Sequence, residues 1–200
     1  YYLNDVVIQN KKDTKSKTIG EVKNSIYQAF ENGPKFDAKY FAYNSDYKRT
    51  KYLKKVGIFT ENALEEATVK IHFYKPNAEG LPGEELLQKD YIVNVKKGSR
   101  RSWFDITNLN MVFPKEGLFV AIERLFIEKN KFDKTVPGTT PNSTKTQRTY
   151  YPLPFYSFVS KEYTYTFLGG KWTKEGKKDT QGQPLASKVF EPAISLVLSN

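Results

Sequence analysis

Residues 67–128 decide the fold: ATVKIHFYK (67–75), PNAEGLPGEELL (76–87), DYIVNVK (90–96), SWFDIT (102–107) and GLFVAIERLFIE (117–128). In 68–75, Val69, Ile71 and Phe73 fall on one side of an extended chain, and Thr68, Lys70, His72 and Tyr74 on the other. Period-two alternation of this kind predicts a strand with one buried and one wetter face. Pro76 ends the run, and Gly80, Pro82 and Gly83 supply turn chemistry before the next one. Gly98-Ser99 separates two further short strands, 91–96 and 102–107, and places Trp103 and Phe104 on opposite faces. After Pro114-Lys115-Glu116-Gly117 the chain is almost continuously apolar to Ile122, as in a central strand covered on both sides. Short strands with turn signals at this spacing predict an all-β fold, an antiparallel jelly-roll-like β-sandwich.

Outward from this stretch, residues 35–43 set Phe36, Ala38, Tyr40 and Ala42 against Asp37, Lys39, Phe41 and Tyr43, so both faces of that strand carry aromatic groups. A strand is expected over 52–60, and a helical turn or tight loop over 61–66. Residues 130–149 hold Pro137, Gly138, Pro141 and seven threonine or serine residues, which reads as a long polar loop. Strands follow over 163–168, 171–173 and 189–198, with Gly169-Gly170 as a hairpin turn. At the other end, residues 3–9 form a short strand candidate and NKKDTKSK (10–17) a polar linker or loop. The expected organisation is an N-terminal strand and lysine-rich linker over 1–34, then one sandwich domain over 35–200.

Composition narrows the chemistry. There is no cysteine, which removes disulfides, thiolate nucleophiles and cysteine-based zinc sites. No apolar run reaches the length of a membrane-spanning helix. The net charge of +10 comes almost wholly from lysine, with arginine only at 49, 100, 101, 124 and 148. Bidentate phosphate reading favours arginine, and the lysines are scattered, so they read as solvated faces and edge protection, not as a nucleic-acid surface.

No catalytic constellation stands out. His72 is the only histidine, and no serine has a nucleophile-elbow context, so a Ser-His-Asp arrangement is not expected. His72 reads as a surface or hydrogen-bonded residue. Glu123 follows Val120-Ala121-Ile122 at the end of an apolar strand and reads as a paired carboxylate, its partner supplied from elsewhere because Arg124 points to the other face. One histidine and no cysteine cannot build a zinc site, no loop has calcium-ligand spacing, and no cofactor or metal is assigned. The functional lead is aromatic. Tyr150, Tyr151, Phe155, Tyr156 and Trp172 are the candidate ligand-binding residues, because flat rings with polar neighbours suit stacking on a sugar face. The competing reading is that these rings cap the core. For Trp103, in mid-strand, core packing is the expectation.

Several runs also resemble a known family. Val56-Gly57-Ile58-Phe59, VKIHFYK (69–75), LPGEELL (81–87), Trp103-Phe104-Asp105-Ile106, PKEGLFVAIE (114–123) and FEPAISL (190–196) are similar to the C-terminal sandwich of carboxypeptidase-like regulatory domain-containing envelope proteins of Bacteroidetes. LNDVVI (3–8) resembles the strand that leaves their transthyretin-like domain. These are packing and turn motifs, so the resemblance implies a fold, an exported protein and attachment to a larger envelope polypeptide. It carries over no functional residue and no peptidase activity. The resulting expectation is a non-catalytic binding or accessory domain of the cell envelope, periplasmic, outer-membrane-associated or at the cell surface. Its expected partner is a glycan or another envelope polymer. The alternative is a structural domain packed on a neighbouring domain of a longer chain, and a hydrolase working through Glu123 ranks last.

Overall fold

Val69, Ile71 and Phe73 are fully buried, as their alternation requires, but the strand that carries them is three times longer than expected. The computed structural model describes residues 15–22 and 25–200. Its strands are β1 (Ser16–Ile19), β2 (Tyr27–Ala29), β3 (Phe36–Phe41), β4 (Tyr52–Pro76), β5 (Pro82–Glu85), β6 (Tyr91–Asp105), β7 (Leu118–Arg124) and β8 (Lys131–Pro137). They continue with β9 (Thr144–Tyr150), β10 (Leu153–Lys161), β11 (Thr164–Leu168), β12 (Lys171–Glu175), β13 (Lys177–Lys178), β14 (Pro184–Leu185), β15 (Ser187–Pro192) and β16 (Ile194–Ser199). The strand candidate over 3–9 lies outside the described residues. Among the described residues no helix is long and apolar enough to cross a membrane.

The all-β expectation holds, and the jelly-roll-like sandwich does not. The main sheet is one continuous hydrogen-bonded network of twelve strands with the open path β1-β16-β4-β7-β3-β11-β12, neither closed nor strongly curled. The reason is β4. At 25 residues it is long enough to serve β16, β10 and β7 in succession along one edge while β6 and β5 pair along the other. Strands that would sit in two separate layers of a sandwich are thereby tied to a single spine. β2 and β15 branch off on either side of β10.

Two of the expected breaks fall within the β4–β6 pairing. The expected turn over 61–66 is part of β4, where the pairing with β6 shifts register between Asn62 and Glu66. A bulge lets a strand run through a polar interruption by leaving extra residues unpaired. Gly98-Ser99 likewise does not break β6: Asn62 pairs with Gly98 and Glu61 with Ser99. The polar stretch 130–149 is not a loop but the β8–β9 hairpin, whose Asp133 and Arg148 pair across the strands at 2.8 Å. Gly169 and Gly170, both at positive φ, do make the β11–β12 hairpin turn. β1 pairs with β16 and β2 with β10, so parts of 15–34 join the sheet network.

β7 is buried on both faces, as its apolar run predicts. Leu118, Val120 and Ile122 join the main core with Val69, Ile71, Phe73, Ile194, Leu196 and Leu198. Phe119 and Ala121 join a second cluster with Phe36, Ala38 and Tyr74, against which Tyr40, Tyr165, Phe167 and Trp172 pack. This second cluster covers part of the wetter face of 68–75, where His72 and Tyr74 are buried; Thr68, also buried, is bonded to Asn94 and Asn130.

Candidate functional site

The five aromatic residues expected to form one binding surface lie in different surroundings. The Phe155 ring stacks on Phe59 at 4.3 Å between centroids. Tyr150 packs on Phe126 and Tyr151 on Phe132, while Trp172 stands edge-on to Phe36 and Tyr74. Four of these are ring-to-ring packing positions. Tyr156, one position along β10 from Phe155 and so on the other face, is the one of the five that lines a cleft. Trp103, expected in the core, lies on an outer face at 38% exposure, over Gly57 of β4.

The cleft has a volume of about 250 Å³ and lies among β3, β10, β11 and β15. Alternation along β3 builds its floor. Phe36, Ala38 and Tyr40 belong with the second cluster, whereas Asp37, Lys39 and Phe41 face the other way. That second face grades from core to cleft: Phe41 is in the main core, Lys39 is in a buried ion pair, and Asp37 reaches the cleft. The Asn32 amide donates to the Tyr156 hydroxyl oxygen at 2.7 Å, and the Tyr156 hydroxyl donates to Asp37 Oδ2 at 2.8 Å. Thr166 donates to Asp37 Oδ1, and the Asn32 amide reaches Oδ2 at 3.5 Å. Burial pushes the Tyr156 hydroxyl well above its ordinary pKa, and the Asp37 charge adds to this, so the phenol stays a donor.

Beside Asp37, Glu191 of β15 is buried and also lines the cleft. Its two oxygens are each matched by an ammonium: Oε2 lies 3.3 Å from Lys39 Nζ and Oε1 lies 3.1 Å from Lys161 Nζ. Burial pulls the Lys39 pKa down, and Glu191 opposes that pull. Lys39 also donates to the Gly20 carbonyl at 2.7 Å.

A second polar array joins the two residues that the sequence singled out separately. His72 Nε2 lies 2.8 Å from Glu123 Oε2, and His72 Nδ1 lies 2.9 Å from Glu85 Oε1. The imidazole is stacked between Phe36 at 5.3 Å and Tyr74 at 5.5 Å. Both ring nitrogens and both ring faces are therefore occupied, which leaves this histidine no atom with which to meet a substrate. Lys70 lies 4.0 Å from Glu123 and 2.8 Å from Asp90. Glu123 is thus the paired carboxylate expected, with His72 and Lys70 as its partners. Among the described residues, no group of three or more His, Asp or Glu side chains is arranged to hold a metal ion.

No family model matches this chain, and no curated protein matches it. The assignment to Bacteroidetes carboxypeptidase-like regulatory proteins gains no support from these comparisons, and the five rings do not form one surface. The cleft residues that sequence reasoning missed are Asn32, Asp37, Thr166 and Glu191. A signal for two of them was present. Asp37 interrupts an aromatic strand, and Glu191 sits between Phe190 and Pro192, the same polar-in-apolar pattern that drew attention to Glu123.

Proposed function

We propose that this chain is a binding or accessory domain that acts without catalysis, and that the Asp37–Tyr156 cleft is where its ligand sits. One observation carries the reading: a carboxylate held in place by Thr166, Tyr156 and Asn32 opens onto a cleft whose lining combines aromatic residues with polar and charged ones. Fixed polar groups beside ring surface in a concavity are common in small-ligand sites. A setting outside the cytoplasm belongs to the same proposal and rests on the resemblance; fractionation of the source cells that found the protein in the cytosol would remove it.

Of the three carboxyl groups on the cleft, Asp37 and Glu191 favour a second reading, hydrolysis by an acid/base pair. Their partners weigh against it. Each oxygen of Glu191 faces a lysine ammonium, and both oxygens of Asp37 accept hydrogen bonds from neighbouring side chains. Groups so tied are placed to hold, not to hand over a proton.

The test is a fragment screen by protein-observed NMR. Amide shifts are expected to cluster at Asp37, Tyr156, Thr166 and Glu191, and to vanish in a Tyr156→Phe, Thr166→Val double variant that keeps its fold. Fragments that bind only elsewhere, or none that bind, would end the reading. Hydrolysis of any ester, amide or glycoside in a panel, lost in Glu191→Gln, would replace it with the acid/base reading.

A further inference from the structure

Resting on the cleft as the ligand site, we infer that it takes an organic cation, an alkylammonium group seated on the Asp37 carboxylate and enclosed by aromatic side chains. The charge pattern is the first ground. Glu191 has an ammonium on each oxygen, whereas every hydrogen bond to Asp37 comes from a neutral donor. A carboxylate accepts through up to about four lone-pair directions, and three donors leave capacity for one more. An incoming N–H or a quaternary methyl shell supplies the positive charge that the protein itself withholds at this one position. Among the described residues that line the cleft, only Lys35 is cationic, against Asp37, Glu175 and Glu191.

The walls are the second ground. Phe30, Tyr156 and Phe190 of the lining pack together beside Asp37, Phe30 standing edge-on to the other two, whereas Tyr165 shares the Ala38 face and packs on Tyr40 and Phe119. Aromatic rings attract cations through the negative potential of their faces, and enclosure by several rings selects an ammonium over its neutral isostere. Next to the cleft the chain shows the same contact with a cation of its own: Lys174 Nζ lies 3.9 Å from the Tyr163 centroid. A protein of net charge +10 repels small cations in general, so selective uptake at one point requires a local device of this kind.

The experiment is titration calorimetry and NMR with choline, with n-butylammonium, and with 3,3-dimethylbutan-1-ol, the uncharged carbon analogue of choline. One or both cations are expected to bind with shifts centred on Asp37 and Tyr156, and the alcohol at least about tenfold more weakly. Asp37→Asn, which keeps an acceptor for Tyr156, is expected to weaken the cation about tenfold or more, and Lys35→Gln to tighten it. Which cation binds better distinguishes a primary from a quaternary headgroup. Equal binding of choline and the alcohol in the cleft would overturn the cation and leave the cleft. So would fragments that bind there when neither cation does. If the fragment screen also finds nothing at Asp37, the cleft itself is the failed premise.

Discussion

His72 and Glu123, 51 residues apart, are joined at 2.8 Å between Nε2 and Oε2. The bond crosses from β4 to the neighbouring strand β7, opposite the bond from the same ring to Glu85 on β5. One imidazole therefore clamps three strands, and the Phe36 and Tyr74 rings hold it in its plane. In a buried position this arrangement acts as a brace for the sheet.

Replacing the brace leaves two carboxylates without their shared partner. His72→Leu, similar in bulk, is expected to destabilise the fold by about 2 kcal/mol or more. A urea titration would show this as a lower midpoint at an unchanged slope. Adding Glu123→Gln to it is expected to return part of the loss, because a carboxylate left with only the more distant Lys70 goes. An unaltered midpoint for His72→Leu would mean that the ring merely fills space.

Acid should act on the same pair. The hydrogen bond from His72 holds the Glu123 carboxyl below the ordinary carboxylate range, and the charges of His72 and Lys70 assist. A carboxyl lowered in the folded state contributes stability that is complete above its unfolded pKa and disappears as pH falls through its folded pKa. Wild-type stability is thus expected to drop below about pH 4.5, and Glu123→Gln to show a shallower acid limb. Thermal melts at several pH values compare the two; parallel curves would remove Glu123 from the acid response.

The buried Lys39–Glu191 pair is expected to be costly to break singly and tolerable to remove whole. Glu191→Leu leaves Lys39 buried without its counter-charge and is expected to cost about 3–5 kcal/mol. Lys39→Met with Glu191→Leu should recover a large part, since Lys161, 39% exposed at its side chain, can turn to solvent. A double-mutant cycle reads the coupling, and additive losses would show that the two side chains do not depend on each other.

Trp103 lies flat over a backbone that has no side chain. A Cβ at Gly57 would come within 2.7 Å of Cε3 and Cζ3 of the indole. Gly57→Ala is expected to lift the ring toward water, at a cost of about 1–3 kcal/mol. In a Trp172→Phe background, Trp103 is the only tryptophan, and its emission should shift to the red. An unchanged spectrum would place the ring elsewhere in solution.

Much of the strand pattern was legible because it depends on neighbours in sequence. Val69, Ile71 and Phe73 alternate into the core, the β7 run is apolar on both sides, and Gly169-Gly170 turns a hairpin. The polar interruptions at 61–66, 98–99 and 130–149 were read as breaks for the same local reason. Whether a polar segment loops out or pairs depends on what lies across from it. β6 lies beside Asn62 and Glu66, and β9 beside β8.

The amino-acid order alone determined that this chain makes sheet, that it has no thiol chemistry, and that Glu123 needs a partner, since each follows from composition or period-two spacing. Only the tertiary structure decided that His72 is that partner, that one 25-residue strand ties the sheet together, and that the five candidate rings are dispersed while Asp37 and Tyr156 meet across 119 residues of chain. The physical reason is common to all three. Strand identity is set by the backbone and adjacent side chains, whereas partners and clefts depend on which distant strands meet, and period-two spacing is the same whichever strand lies opposite.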